Sequence, residues 1–292
     1  MIGVQKAKGG LGMRRARQIK TAAYHILMLA FSFGMVYPLL WMAAASFKPN
    51  TEIFTNANSL IPLQFTTEHY TTGWRGFAGL SFAVFFKNSI FVALLATAGV
   101  VLSSSFAAFG LARLRFKGRQ FWFTCMIITM MLPSQVMMIP KFVLFNQLGW
   151  VGTYLPLTVP CFFGGGAFYI FLIMQFVRGV PRDMDEAARI DGCTWYGLYA
   201  RIMLPMIVPA LVTVGVLTFI GSWGDFMGAL LYLNKPRQYT VAYALKLFND
   251  NSTADYGATF AMSVLSLIPI LLIFFFFQRN LVEGISMQGL KG

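Results

Sequence analysis

Six long apolar runs decide what this chain can become. They lie at about 22–46, 88–112, 120–140, 154–177, 204–232 and 258–278. A helix needs about 20 apolar residues to cross the hydrocarbon of a bilayer. Only 11% of the residues are charged, against about 25% in soluble domains. The runs predict an all-α, polytopic membrane protein with six transmembrane helices. Residues 1–21 read as an N-terminal segment, and 22–292 as a single membrane domain.

The formal net charge of +13 raises the question of nucleic acid, but the placement of the charge argues against it. Six Lys/Arg precede the first run, four lie between the second and third, four between the fourth and fifth, and two follow the sixth. These make 16 of the 23. The positive-inside rule then predicts both termini in the cytoplasm. The run from Ala22 to Ala45 is too long for a signal-peptide core of about 7–15 residues, so it reads as a retained helix. Cys125, Cys161 and Cys193 show no paired spacing, and His25 and His69 are far apart. Neither a disulfide nor a metal site is expected.

The most structured polar stretch lies between the fourth and fifth runs, within residues 178–204. Pro181 suits a first helical turn. Asp183, Asp185 and Glu186 favour a helix N-terminus. Ala187 and Ala188 are strong, slender helix formers. Gly192 can take the left-handed conformation that ends a helix, and Thr194 suits the N-cap of a second helix over 195–203. Residues 178–201 carry four acids and four bases, so a helix lying on anionic lipid would gain little. A compact helix with small residues at its centre fits docking to a partner protein instead. The chain lacks Gly-x-x-x-x-Gly-Lys-Ser/Thr, so it offers no phosphate-binding loop of its own.

The spacing Glu186-Ala187-Ala188, three residues, Gly192, nine residues, Ile202-Met203-Leu204-Pro205 resembles the signature of ABC importer membrane subunits. Tyr37-Pro38-Leu39-Leu40-Trp41, Ser46-Phe47-Lys48, Lys87-Asn88-Ser89, Met131-Leu132-Pro133 and Trp223-Gly224-Asp225-Phe226 are similar to parts of carbohydrate importer permeases. So is the tail from Gln278-Arg279 through Val282-Glu283-Gly284 to Lys291-Gly292. The likeness covers nearly the whole chain and points to the smaller permease subunit of a maltose-type importer. It implies a cytoplasmic coupling helix, with Glu186, Ala187, Ala188, Arg189, Asp191 and Gly192 docking on an ATPase. It also implies a second homologous permease, two ATP-binding subunits that hold ATP and Mg, and an external or periplasmic sugar-binding protein. This chain itself would bind no cofactor. By the same resemblance, Asn234, Lys235, Pro236 and Arg237 reach the binding protein.

Polar groups within apolar runs are costly and mark packing or passage. Ser103-Ser104-Ser105 with Ala107, Ala108 and Gly110 reads as close helix packing. Gln135, Tyr169, Gln175, Trp223 and Asp225 are the candidates to line a pathway. Trp223 could stack on a sugar ring, and Asp225 could accept hydroxyl hydrogen bonds or fix a neighbouring helix. Gly164-Gly165-Gly166 reads as a place where the fourth run bends. The leading function is import of a sugar or oligosaccharide by an ATP-driven permease. A glycerol-phosphate or polyol permease is the near alternative, and an ion-coupled secondary carrier, with Asp225 as its coupling acid, the different-class one. No metal cluster or nucleophile motif supports an enzyme.

Overall fold

The structure is a computed structural model describing residues 3–250 and 255–286, with side chains over 17–247 and 255–281. The side chains of Lys6, Lys8, Arg14, Arg15, Val282 and Glu283, with all of Lys291-Gly292, lie outside the described residues. The elements are α1 (Gly3–Ala45), α2 (Asn50–Thr55), α3 (Glu68–Arg75), α4 (Phe82–Arg113), α5 (Arg119–Met131) and α6 (Met138–Gln147). Then come α7 (Leu155–Thr158), α8 (Ala167–Gly179), α9 (Asp183–Ile190), α10 (Trp195–Gly197), α11 (Leu204–Met206), α12 (Val208–Trp223), α13 (Phe226–Tyr232), α14 (Val241–Asp250) and α15 (Tyr256–Ser286). Among the described residues no strand is formed; one isolated bridge joins Phe77 and Leu80.

Among the described residues, four stretches are long and apolar enough to cross a membrane: Arg17–Ala45, Phe82–Arg113, Leu155–Gly179 and Tyr256–Leu281. A fifth arises if Trp195–Met206 and Val208–Trp223, bent by 75°, form one span. The expected third run departs from a continuous helix. α5 has 13 residues, or about 20 Å at 1.5 Å per residue, and α6 begins only at Met138. Pro133 supplies the reason. It lacks an N–H for the ladder and pushes the preceding residue out of the helical region, and Leu132 sits at φ −75°, ψ 123°. The expected fifth run also changes shape. Its helical path begins at Trp195, passes through a π-helix over Leu198–Met203, and bends at Ile207 between Pro205 and Pro209.

The chain falls into two compact units. One comprises residues up to Tyr70 together with Asp255–Val264. Its polar centre is Lys48, 1% exposed. The Lys48 ammonium donates to the carbonyls of Asn56 (2.7 Å) and Ser59 (2.6 Å). His69 Nε2 lies 2.8 Å from the Lys48 carbonyl. Asn50 donates to Asp255 (3.0 Å) and accepts from the Gly257 N–H (2.9 Å). Glu52 accepts from the Leu63 N–H at 2.7 Å and the Gln64 N–H at 3.1 Å. The Leu63 bond leads in holding the Glu52 pKa below the ordinary carboxylate value, against the opposing effect of burial.

The second unit comprises the rest of the chain. α4 is its centre, packed on α8 and α12. Its buried face is rich in small residues, including Ala93, Ala96, Gly99, Ser104, Ser105 and Ala108, which lets neighbouring backbones come close. A core of Val100, Ala108, Phe109, Ile173, Met174, Val177, Leu198, Met203 and Val214 joins these helices. The expected bend at Gly164-Gly165-Gly166 is present: all three take positive φ, at 102°, 53° and 153°. A Cβ on Gly165 would lie 2.7 Å from Val100 Cγ2. Where the helix opens, α4 hydroxyls fill the vacated acceptors. Ser103 donates to the Cys161 carbonyl (2.8 Å) and Ser104 to that of Gly164 (3.4 Å). Such repair is needed wherever backbone leaves the helical ladder away from water.

Candidate functional site

The polar island folds as its sequence directs. α9 opens with Asp183, Asp185 and Glu186 in its first turn. It closes on Gly192, in the left-handed region at φ 78°. The Gly192 N–H bonds to the Arg189 carbonyl (3.1 Å) and the Cys193 N–H to that of Ala188 (2.9 Å). These two bonds are the pair that ends a Schellman motif. Thr194 then caps α10, accepting from the Gly197 N–H at 3.2 Å.

The two central alanines are divided between two faces. Ala188 is 6% exposed and belongs to the hydrophobic core, so it seats the helix. Glu186, Ala187, Arg189, Asp191 and Gly192 are exposed. Ile190, at 86%, and Tyr196, at 82%, are apolar or amphipathic side chains standing in the open. The Arg189 guanidinium lies 5.1 Å from the centre of the Trp195 ring, a cation–π distance. Beside α9 is a cleft of about 850 Å³, walled by Arg113, Arg115, Phe116, Arg182, Asp185, Glu186, Arg189 and Trp195, among others.

Arg113, the last residue of α4, is a component that sequence reasoning passed over. Its side chain is 3% exposed. Nη2 donates to the carbonyls of Val177 (2.7 Å) and Val180 (2.6 Å), where α8 ends. Nη1 lies 3.1 Å from Asp185 Oδ2 on α9. Hydrogen bonds to a charged group contribute about 1.5–3 kcal/mol each. In the sequence Arg113 reads as one of several basic residues flanking a span. No local signal marks its partners, which lie on two later elements.

The proposed pathway residues are dispersed. Gln135 is exposed in the turn between α5 and α6, accepting from Ser134 Oγ at 3.2 Å. Tyr169 and Gln175 are half-buried on α8. Trp223 departs from the expected cavity-facing position. It is 3% exposed, stacked on Phe219 and tilted against Phe86. Its indole N–H donates to the Ser266 carbonyl at 3.1 Å. Here it is a packing residue, because its ring contacts and polar handle are taken up within the unit. The helix irregularity at this point is real: α12 ends at Trp223, and Asp225 caps α13 by accepting from the Gly228 N–H at 2.8 Å. Asp225 itself is exposed.

Asn234, Lys235, Pro236 and Arg237 are also exposed, around a short 3₁₀ turn. Their backbone is anchored from below. Asn88 donates to the carbonyls of Arg237 and Tyr239, both at 2.9 Å. Ser89 accepts from the Val241 N–H at 2.7 Å, and Gln238 donates to the Gly152 carbonyl at 2.7 Å. Asn88 and Ser89 thus have a physical use, in holding a loop on which Asn234, Lys235, Pro236 and Arg237 stay exposed.

Fold and site define a helical membrane protein carrying a compact, capped polar helix with one exposed face. Residues 99–287 match the family described as "Binding-protein-dependent transport system inner membrane component". The chain is 33% identical to the probable ABC transporter permease protein YurM of Bacillus subtilis, over 96% of this chain and 91% of that one. It is 34% identical to the arabinooligosaccharides transport system permease protein AraQ of Halalkalibacterium halodurans, over 89% of this chain and 93% of that one. A bacterial ABC transporter involved in import of the acidic polysaccharide alginate shares the fold, with a TM-score of 0.79 and 20% identity over 91% of this chain and 97% of that one. The chain belongs to the family of binding-protein-dependent transport system inner membrane components.

Proposed function

We propose that this chain is the membrane-spanning permease subunit of an ATP-driven importer for a sugar or oligosaccharide. The observation that carries the reading is the exposed face of α9, a rigidly capped helix whose central Ala187 and terminal Ile190 face outward. In this reading α9 is the coupling helix and enters a groove on an ATP-hydrolysing subunit. Two such subunits, which hold ATP and Mg, a second homologous permease and an external binding protein complete the transporter. The relative named for arabinooligosaccharide transport supports a carbohydrate substrate. The anchored loop bearing Asn234 to Arg237 is the surface offered to the binding protein. Both termini lie in the cytoplasm, and the broken α5–α6 segment is the sixth passage through the bilayer.

ATP binding draws the two ATPase subunits together, and α9 carries that displacement to the spans. Each nucleotide state then favours one of two packings, inward-open or outward-open. The test is uptake of radiolabelled arabinotriose, maltotriose and galactotriose by vesicles holding the complete transporter. Uptake of at least one should require ATP and the binding protein. It should persist after a protonophore when ATP is held constant. Uptake that collapses with the proton gradient at unchanged ATP would overturn the mechanism and favour the secondary carrier.

A further inference from the structure

Resting on the coupling role of α9, we propose that Arg113 is the joint that makes α9, α4 and the end of α8 move as one body. It is a positioning residue for transport. Covalently it belongs to α4, yet its guanidinium reaches Asp185 on α9 at 3.1 Å and the Val177 and Val180 carbonyls at 2.7 and 2.6 Å. The carbonyls at a helix C-terminus carry partial negative charge, and Asp185 carries a full one. Two negative ends from separate elements therefore converge on one buried cation.

The chemistry of arginine matters here. Its planar fork fixes the directions of several acceptors at once, which a lysine ammonium on a flexible stem does not. A pull on α9 at Asp185 is transmitted to the end of α4. That helix is in turn packed on α8 and α12, and its Ser103 and Ser104 hold the opened backbone near Gly164. The joint therefore connects the exposed docking face with the bend in the fourth apolar run. It also retains unused pairing capacity: Arg113 Nε and Asp185 Oδ1 are buried without a hydrogen-bond partner.

The test uses the complete transporter in liposomes, with Cys125, Cys161 and Cys193 replaced and spin labels at the exposed Phe116 and, on α9 but outside the proposed docking residues, Met184. In the parent, the label separation should be the same without nucleotide and with a non-hydrolysable ATP analogue. In Arg113→Gln and Asp185→Asn the two states should differ by about 5 Å, one helical turn. Uptake of the trisaccharide that the parent accumulates should fall about tenfold, a usual size for a lost coupling, with the ATPase still co-purifying in parental amount. The double variant should be no worse than either single one. Arg113→Lys should behave like Arg113→Gln, since charge without the fork does not rebuild the joint. The proposal is overturned by a parental separation that changes with nucleotide, by variants whose separation does not, by full rescue with lysine, or by losses that merely track missing ATPase. Failure of the coupling reading itself looks different: the parent would then retain no ATPase at all.

Discussion

The α9 island and the break after α12 are both polar interruptions of an apolar chain, but they use their side chains in opposite ways. At α9, backbone bonds and Gly192 close the helix, Ala188 seats it, and most of the distinctive residues are left facing outward. At the break, Asp225 turns back to cap α13 and Trp223 is enclosed by Phe86, Phe219 and the Ser266 carbonyl. One interruption leaves its side chains exposed, and the other uses them for internal repair. A polar residue in a membrane span is therefore a weak guide to passage until the fate of its hydrogen bonds is known.

The sharpest way to break this contrast is to treat two neighbouring alanines alike. Ala187→Trp places a ring on an exposed face and should leave the fold intact. It should weaken ATPase association by about 2–4 kcal/mol, or about 30- to 1000-fold, as blocking an interface centre does. Ala188→Trp forces a ring into the core and should cost about 1–3 kcal/mol of fold stability, lowering the thermal midpoint in detergent. Co-purification and thermal unfolding separate the two. Equal loss of stability from both would mean that α9 has no free face.

The enclosed side of the comparison makes a stability prediction. Trp223→Ala removes a buried indole together with its hydrogen bond to the Ser266 carbonyl, and should cost about 3–5 kcal/mol. Trp223→Phe should recover the greater part, because it restores the stacking but not the hydrogen bond. If Trp223→Ala keeps the parental unfolding midpoint and selectively weakens sugar uptake, the residue lines the pathway as its sequence position suggested.

What could be read in advance follows the range of the interactions. The ends of α9 were legible, because capping residues, first-turn acids and Gly192 act within a few residues of their own backbone. The bend at Gly164-Gly165-Gly166 was legible for the same reason. Arg113 was not, because its carbonyl and carboxylate partners belong to α8 and α9. The third run read as continuous because hydropathy averages over Pro133, while helix geometry does not. Trp223 read as pathway-lining because its neighbours come from α4 and α15, which no local pattern brings to it.

Asp225 gives a smaller effect. Asp225→Asn keeps an N-cap of nearly equal quality, and Asp225→Ala should cost about 1 kcal/mol. Both should leave uptake insensitive to a protonophore at constant ATP. Abolished uptake in Asp225→Asn at parental stability would turn the capping residue back into a coupling acid.

The smallest effect extends the comparison to the other compact unit, where Glu52, like Asp225, spends its carboxylate on backbone N–H groups. Its two oxygens accept from Leu63, Gln64 and the Asn56 amide. These bonds favour the ionised form, so the folded pKa lies below the unfolded one. The unfolded state therefore binds the proton first as pH falls. The Glu52 contribution is complete above the unfolded pKa and disappears as pH drops through the folded value. Glu52→Gln cannot reproduce it, since one amide end would present a donor to an N–H donor. The expected outcome is a variant less stable than the parent at pH 7, with the two unfolding midpoints converging as the solution is acidified through the carboxylate range. Parallel midpoints at every pH would show that the charge of Glu52, as distinct from its shape, does nothing for this unit.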